Sequence, residues 1–234
     1  MKSSAICQEW LNSLPPTEGY LKKEQTKGRE LLIKKGMPSK KDEAWRLCNL
    51  NRLNKFLSLP TIINNKDFSS KGESIFPDNE SEIERIIINP NQNPIININL
   101  PNGIEKLNDK EIEDNLGQIV KSSNINKDFA VSLNQASSSD LLALKVKGNF
   151  HGSLEIIVPS IKETSISSRV FLLIEEGAKL DLLQVFLGDT NSAQNHLIEI
   201  KVKSNVELTH GLISLGKEKE SSSICTLAVE QYEK

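Results

Sequence analysis

A chain of 234 residues with 37% hydrophobic and 5% aromatic residues holds enough Ile, Leu and Val for one large or two small folded cores, yet no apolar run nears the roughly 20 residues of a membrane-spanning helix. With 29 basic and 31 acidic residues, the net charge of −2 gives no electrostatic basis for a nucleic acid or an anionic membrane as partner. Cys7, Cys48 and Cys225 are too few and too scattered for a disulfide framework, His151, His196 and His210 lack metal-site spacing, and no signal-peptide segment opens the chain, so a cytoplasmic protein with no metal site visible in sequence is expected.

Residues 1–55 read as a helical region. Ile6, Trp10 and Leu14 share one helical stripe, which Pro15 and Pro16 end because proline lacks the amide donor. A second helix is expected over residues 22–35, with Lys34 and Lys35 at its negative end and Gly36 as its C-terminal stop. In GMPSKKDEAWRLCNL (residues 36–50), Pro38 fixes an extended link and Ser39 through Asp42 has capping-box spacing. A third helix carrying Trp45 and ending before Asn49 is therefore expected. Trp45 is read as an anchor onto the rest of the protein, with an interface role as the alternative. Lys40, Lys41 and Arg46 read as a solvated face.

Residues 56–127 form a mixed region. Ile96, Ile98 and Leu100 alternate with Asn97 and Asn99 as in a short strand with one wet face, and a helix is expected over residues 105–121.

Residues 128–234 change to short Ile/Leu/Val runs punctuated by Gly, Asn and Ser, and they repeat. IEEGAKLDLLQVFLG (residues 174–188) aligns without gaps to VKSNVELTHGLISLG (residues 202–216) at an offset of 28. VKGNFHGSLEIIVPS (residues 146–160) is a weaker third copy, with Asn149 at the corner position of Gly177 and Asn205. A period of this length with short strands and Gly/Asn corners predicts a parallel β-helix, over the alternative of an antiparallel sandwich or barrel. Carried forward, the offset sets residues 228–234 opposite residues 200–206, so the β-helix stops mid-coil. Cys225 reads as a small buried hydrophobe in its strand, and His210 as a surface or hydrogen-bonded histidine.

Three stretches carry a family resemblance. The segment with Gly36, Met37, Pro38, Ser39, Lys40, Lys41, Asp42, Glu43, Trp45 and Arg46 resembles the N-terminal signature of SufD-type proteins of the SUF iron–sulfur cluster assembly system, with Leu47 and Cys48 replacing the usual aromatic and Thr/Ser. FAVSLNQA (residues 129–136) is similar to an F-x-x-L-N-x-A segment of that family with one extra residue, and SSRVFLLIEEGAKLDLLQ (residues 167–184) resembles its Ser-Arg segment and Gly-Ala corner.

The resemblance implies an α+β, mainly β protein: a helical N-terminal region followed by a right-handed parallel β-helix, here an N-terminal portion or shortened form. It implies a non-catalytic scaffold subunit that pairs with a SufB-like subunit and a SufC-like ABC ATPase around a transient Fe–S cluster. The cluster-assembly and ATPase-binding regions of the family lie beyond the matched residues, so no catalytic, cofactor or metal residue is carried over. Gly36, Pro38, Lys41, Glu43, Trp45 and Arg46 stand as structural signature residues. The alternatives are a secreted-type β-helix carbohydrate-active enzyme, a left-handed hexapeptide-repeat acyltransferase, whose period of six does not divide 28, and a β-helical interaction module with no cluster role.

Overall fold

The computed structural model describes residues 2–61, 83–88, 100–139, 141–216 and 221–232. Helix α1 (Lys2–Ser13) buries Cys7, Trp10 and Leu11 and ends ahead of Pro15. After a 3-10 turn at Gly19–Leu21, α2 (Lys22–Lys35) has the predicted bounds. Gly36 ends it at φ +67°, a conformation that favours glycine, with its N–H donating to the Leu32 carbonyl at 2.8 Å.

The third helix expected around Trp45 does not form; only a 3-10 turn, Glu43–Trp45, does. Asp42 Oδ2 accepts the Ser39 N–H at 2.6 Å, Ser39 Oγ accepts the Lys41 N–H at 3.2 Å, and Lys40 Nζ donates to the carbonyls of Arg46 and Cys48. These side-chain bonds satisfy the backbone groups a helix would have used. The helix starts later as α3 (Leu50–Ser58), where Asn49 caps Asn51 N–H and Leu53, Phe56 and Leu57 are buried.

The helix expected over 105–121 is also divided. Strand β1 (Ile83–Ile87) precedes it, and β2 (Ile104–Lys106) occupies its start. A capping box between Asn108 and Glu111 then opens α4 (Asp109–Asn115), and Gly117 at φ +76° separates it from α5 (Gln118–Ser122). The expected strand through Ile96 and Ile98 lies outside the described residues. FAVSLNQA, counted with the β-helical part, is itself a helix, α6 (Phe129–Ser137), capped by Asp128 and buried along its whole length.

Seven strands then wind between two sheets: β3 (Leu142–Val146), β4 (His151–Pro159), β5 (Ser165–Ile174), β6 (Lys179–Gly188), β7 (Ala193–Val202), β8 (Glu207–Gly216) and β9 (Ser222–Gln231). One sheet has the order β1-β4-β6-β8 and the other β2-β3-β5-β7-β9. Pairing is parallel throughout except at β2, which closes the first edge antiparallel to β3. This is a parallel β-solenoid of about three turns, and the sandwich alternative is set aside.

The 28-residue repeat is the coil itself, with Lys179 beside His151 and Glu207 beside Lys179. Gly177 at φ +88° and Asn205 at φ +55° make equivalent corners; Asn149, in the weaker copy, is not among the positive-φ residues. The last coil departs from the expectation. Ala228 lies beside Glu199, not Ile200, because the link from β8 to β9 is one residue longer than that from β6 to β7. Between the sheets Leu154, Ile156, Leu172, Leu182, Phe186 and Ile200 stack in an apolar core. The helices pack on the outer face of the five-stranded sheet, where Phe171 and Leu197 meet Ile119, Val120 and Val131. Among the described residues no helix is long and apolar enough to cross a membrane.

Candidate functional site

Among the described residues, buried polar side chains gather where the helices meet the five-stranded sheet. Residues on β5 and β7 alternate between the core and the helices. Arg169 and Glu199 are on the helix-facing side, and their side chains are 1% and 0% exposed. Arg169 Nη2 lies 3.1 Å from Glu199 Oε1 and 3.5 Å from Glu24 Oε2 of α2. Glu199 also accepts the N–H of Gly117 at 3.1 Å and of Val120 at 3.5 Å, while Gln135 Nε2 of α6 donates to Glu24. A Cβ on Gly117 would sit 2.7 Å from Glu24 Oε2, so glycine there serves both the left-handed turn and the approach of the carboxylate.

Asn134 of α6 is fully buried, and its Nδ2 donates to the carbonyls of Ser168 and Asn195 at 2.9 Å each. Asn195 Nδ2 in turn donates to the Ala130 carbonyl at 3.0 Å. Helix and sheet are thus stitched by side chains bonding to each other's backbone. Removing one partner would leave buried acceptors without water, which is costlier than the bond itself.

The signature residues lie beside this joint, and one of them enters it. Trp45 is half-buried and meets Phe129 edge to face, at 5.8 Å between ring centres and 89° between planes. Lys41, Glu43 and Arg46 are exposed, while Gly36 and Pro38 are half-buried and shape the link. Trp10 is the more deeply set aromatic, 3% exposed, with its indole N–H donating to Thr61 Oγ1 at 3.0 Å.

A second polar line runs inside the solenoid. Ser168, His196 and Cys225 occupy neighbouring inward positions on β5, β7 and β9. His196 is stacked on Phe186 at 3.7 Å and 11°, and its Nδ1 lies 2.7 Å from Ser168 Oγ. Burial pushes the His196 pKa down to about 3, so the ring is neutral at physiological pH. On the facing sheet His210 Nε2 lies 2.9 Å from Gln184 Oε1, and desolvation lowers its pKa too. The hydrogen-bonded reading of His210 agrees with this contact.

Cys225 is not the buried residue expected. It is exposed, because it points inward on the last described strand of its sheet, where no further strand covers it in the structure. Its thiol is nevertheless desolvated by the core walls, which push its pKa up to about 11 and keep it protonated. Cys48 is exposed beside the signature turn, and Cys7 is buried.

Glu24, Asn134, Arg169, His196 and Glu199 were not singled out in the sequence as site residues. Arg169 lies inside the third resembling stretch, and its charge between strong β-formers was the available signal. Among the described residues no group of three His, Cys, Asp or Glu side chains could hold a metal ion. No family model, curated protein or solved structure matches the chain.

Proposed function

We propose that the chain is a scaffold subunit of a SUF-type iron–sulfur cluster assembly system, pairing with a SufB-like β-solenoid and working with a SufC-like ABC ATPase. The observation that supports the reading is the meeting of the three resembling stretches. Trp45 of the first lies against Phe129 of the second at 5.8 Å, and Asn134 of the second holds the Ser168 carbonyl of the third at 2.9 Å. Residues far apart in sequence that must meet for helices to seat on a solenoid are what a shared architecture would require.

On this reading the chain has no turnover of its own. The cluster is cargo of the assembled complex, and no residue here is assigned as its ligand. The work of the chain is to present a rigid, internally cross-braced surface to its partners.

The test is co-expression of the tagged chain with SufB-like and SufC-like subunits from the same cells, followed by chromatography with light scattering. A stoichiometric complex containing the SufB-like subunit is expected. Elution of the chain alone, with the partners soluble and paired with one another, would overturn the proposal.

A further inference from the structure

The turn between α2 and α3 differs from the rest of the surface in charge and in what it exposes, and the scaffold reading does not use it. Residues 39–49 are exposed except Trp45, which is held against Phe129. Residues 33–55 carry seven Lys and Arg against two carboxylates, Asp42 and Glu43, in a chain whose net charge is −2. Asp42 is engaged inside the turn, where it accepts the Ser39 N–H. The side chains of Lys41, Arg46 and Arg52 make no hydrogen bond or ion pair with any described residue. Leu47, next to Arg46, is 91% exposed, the most exposed large apolar side chain among the described residues.

That exposure is built into the turn. Lys40 Nζ donates to the carbonyls on either side of Leu47, those of Arg46 at 3.1 Å and of Cys48. The Glu43–Trp45 turn precedes Leu47, and Asn49 caps α3 just after it. The backbone is thus held with the Leu47 side chain in water, so a partner that covers it has little left to order.

Charge selects the cover. Unpaired cations beside an apolar knob complement carboxylates beside an apolar hole. A nucleic acid is a poor match, because Trp45 is packed on Phe129 and not free to stack on a base, and Glu43 stands exposed among the cations. An anionic bilayer is a poor match too: one leucine inserts little apolar surface, and Glu43 would face lipid charge of its own sign. A helix with a leucine stripe bordered by Asp or Glu supplies both halves, a hole between its side chains for Leu47 and carboxylates at its margins for the cations.

We propose that the turn bearing Lys41, Arg46 and Leu47 is a docking surface for an acidic amphipathic helix of a partner protein. Leu47 is the anchor, Lys41, Arg46 and Arg52 form its charged rim, and Trp45 braces the turn from behind. Docking of this kind does not require the chain to serve cluster assembly.

The test is titration of the isotope-labelled chain, followed by amide chemical shifts, with three helical peptides and phosphatidylglycerol vesicles. The first peptide has a leucine stripe bordered by Glu, the second has Gln in place of Glu, and the third has Ala in place of Leu. Saturable shifts at Arg46, Leu47 and Cys48 with the first peptide are expected, with the other two binding about tenfold more weakly or less. Leu47→Asn should weaken the first peptide about tenfold yet leave the unfolding midpoint unchanged, because the side chain is already in water. Lys41→Glu combined with Arg46→Glu should abolish binding. Equal binding of the Gln peptide, unchanged binding in Leu47→Asn, or no saturable shift would overturn the proposal. Tighter binding to the vesicles than to the first peptide would also overturn it, by assigning the turn to a membrane.

Discussion

Arg169 and Glu199 form an ion pair at 3.1 Å with almost no exposure of either side chain, on adjacent strands under the helices. Glu24 shares the guanidinium from α2 at 3.5 Å, so three elements depend on one cation. Arg169→Met would leave two buried carboxylates uncompensated. Breaking a buried pair from one side costs about 3–5 kcal/mol, which denaturant unfolding should read directly. Arg169→Met combined with Glu24→Gln and Glu199→Gln should recover much of that loss, because it removes the stranded charges.

The two tryptophans should separate in a stability measurement. Trp10, buried and bonded to Thr61, should cost about 3–5 kcal/mol when changed to Ala. Trp45, half-buried against Phe129, should cost less, about 1–3 kcal/mol. A Trp45→Ala protein that melts like wild type but fails to join its partners would move Trp45 from anchor to interface.

Gly28 lies where α2 crosses α6, and an added Cβ would come within 2.6 Å of the Ala136 nitrogen and 2.8 Å of the Ser132 carbonyl oxygen. Alanine normally favours a helix over glycine by about 1 kcal/mol. Here the backbone contact should reverse the sign, and Gly28→Ala should lower the unfolding midpoint, by an overpacking cost of about 1–3 kcal/mol.

His196 sets a pH dependence. Its folded pKa is held near 3, against 6.5 for an ordinary histidine. Below about pH 6.5 the unfolded chain takes a proton that the folded protein refuses until about pH 3, so this group lowers stability as pH falls through that window. Between about pH 7.5 and 5.5 wild type should lose about 1.4 kcal/mol more than His196→Gln. The contribution of His210 is common to both proteins and cancels. Equal slopes in the two proteins would show that His196 is not held neutral.

The coil was legible in the sequence because each turn returns residues to the same place. Leu180 and Leu208 are 28 positions apart and lie side by side in the sheet. Gly177 and Asn205 could be read as corners because few residues take positive φ. The last coil was misread by one position because a single added residue in a loop changes register without changing the strand pattern.

The joint was far less legible. Arg169 and Glu199 occupy helix-facing positions that in an isolated strand would be solvated, and only α2, α5 and α6 make them buried. Their pairing is diagonal across the strands, Arg169 being opposite Leu197, so the repeat offset does not connect them. The signature segment misled in the other direction. Its capping-box letters were read as a helix start, whereas Ser39, Lys40 and Asp42 spend their bonds on the loop itself.

The central structural claim is that the helical region and the solenoid are one cross-braced unit, joined through Arg169, Glu199, Asn134 and Glu24. Native-state amide exchange followed by mass spectrometry tests it most directly. Peptides from α2 and α6 should open only with the global unfolding that also exposes β5 and β7, and Arg169→Met should lower protection in all four together. Exchange in α2 and α6 at a much lower opening energy, with the strands still protected, would contradict the account.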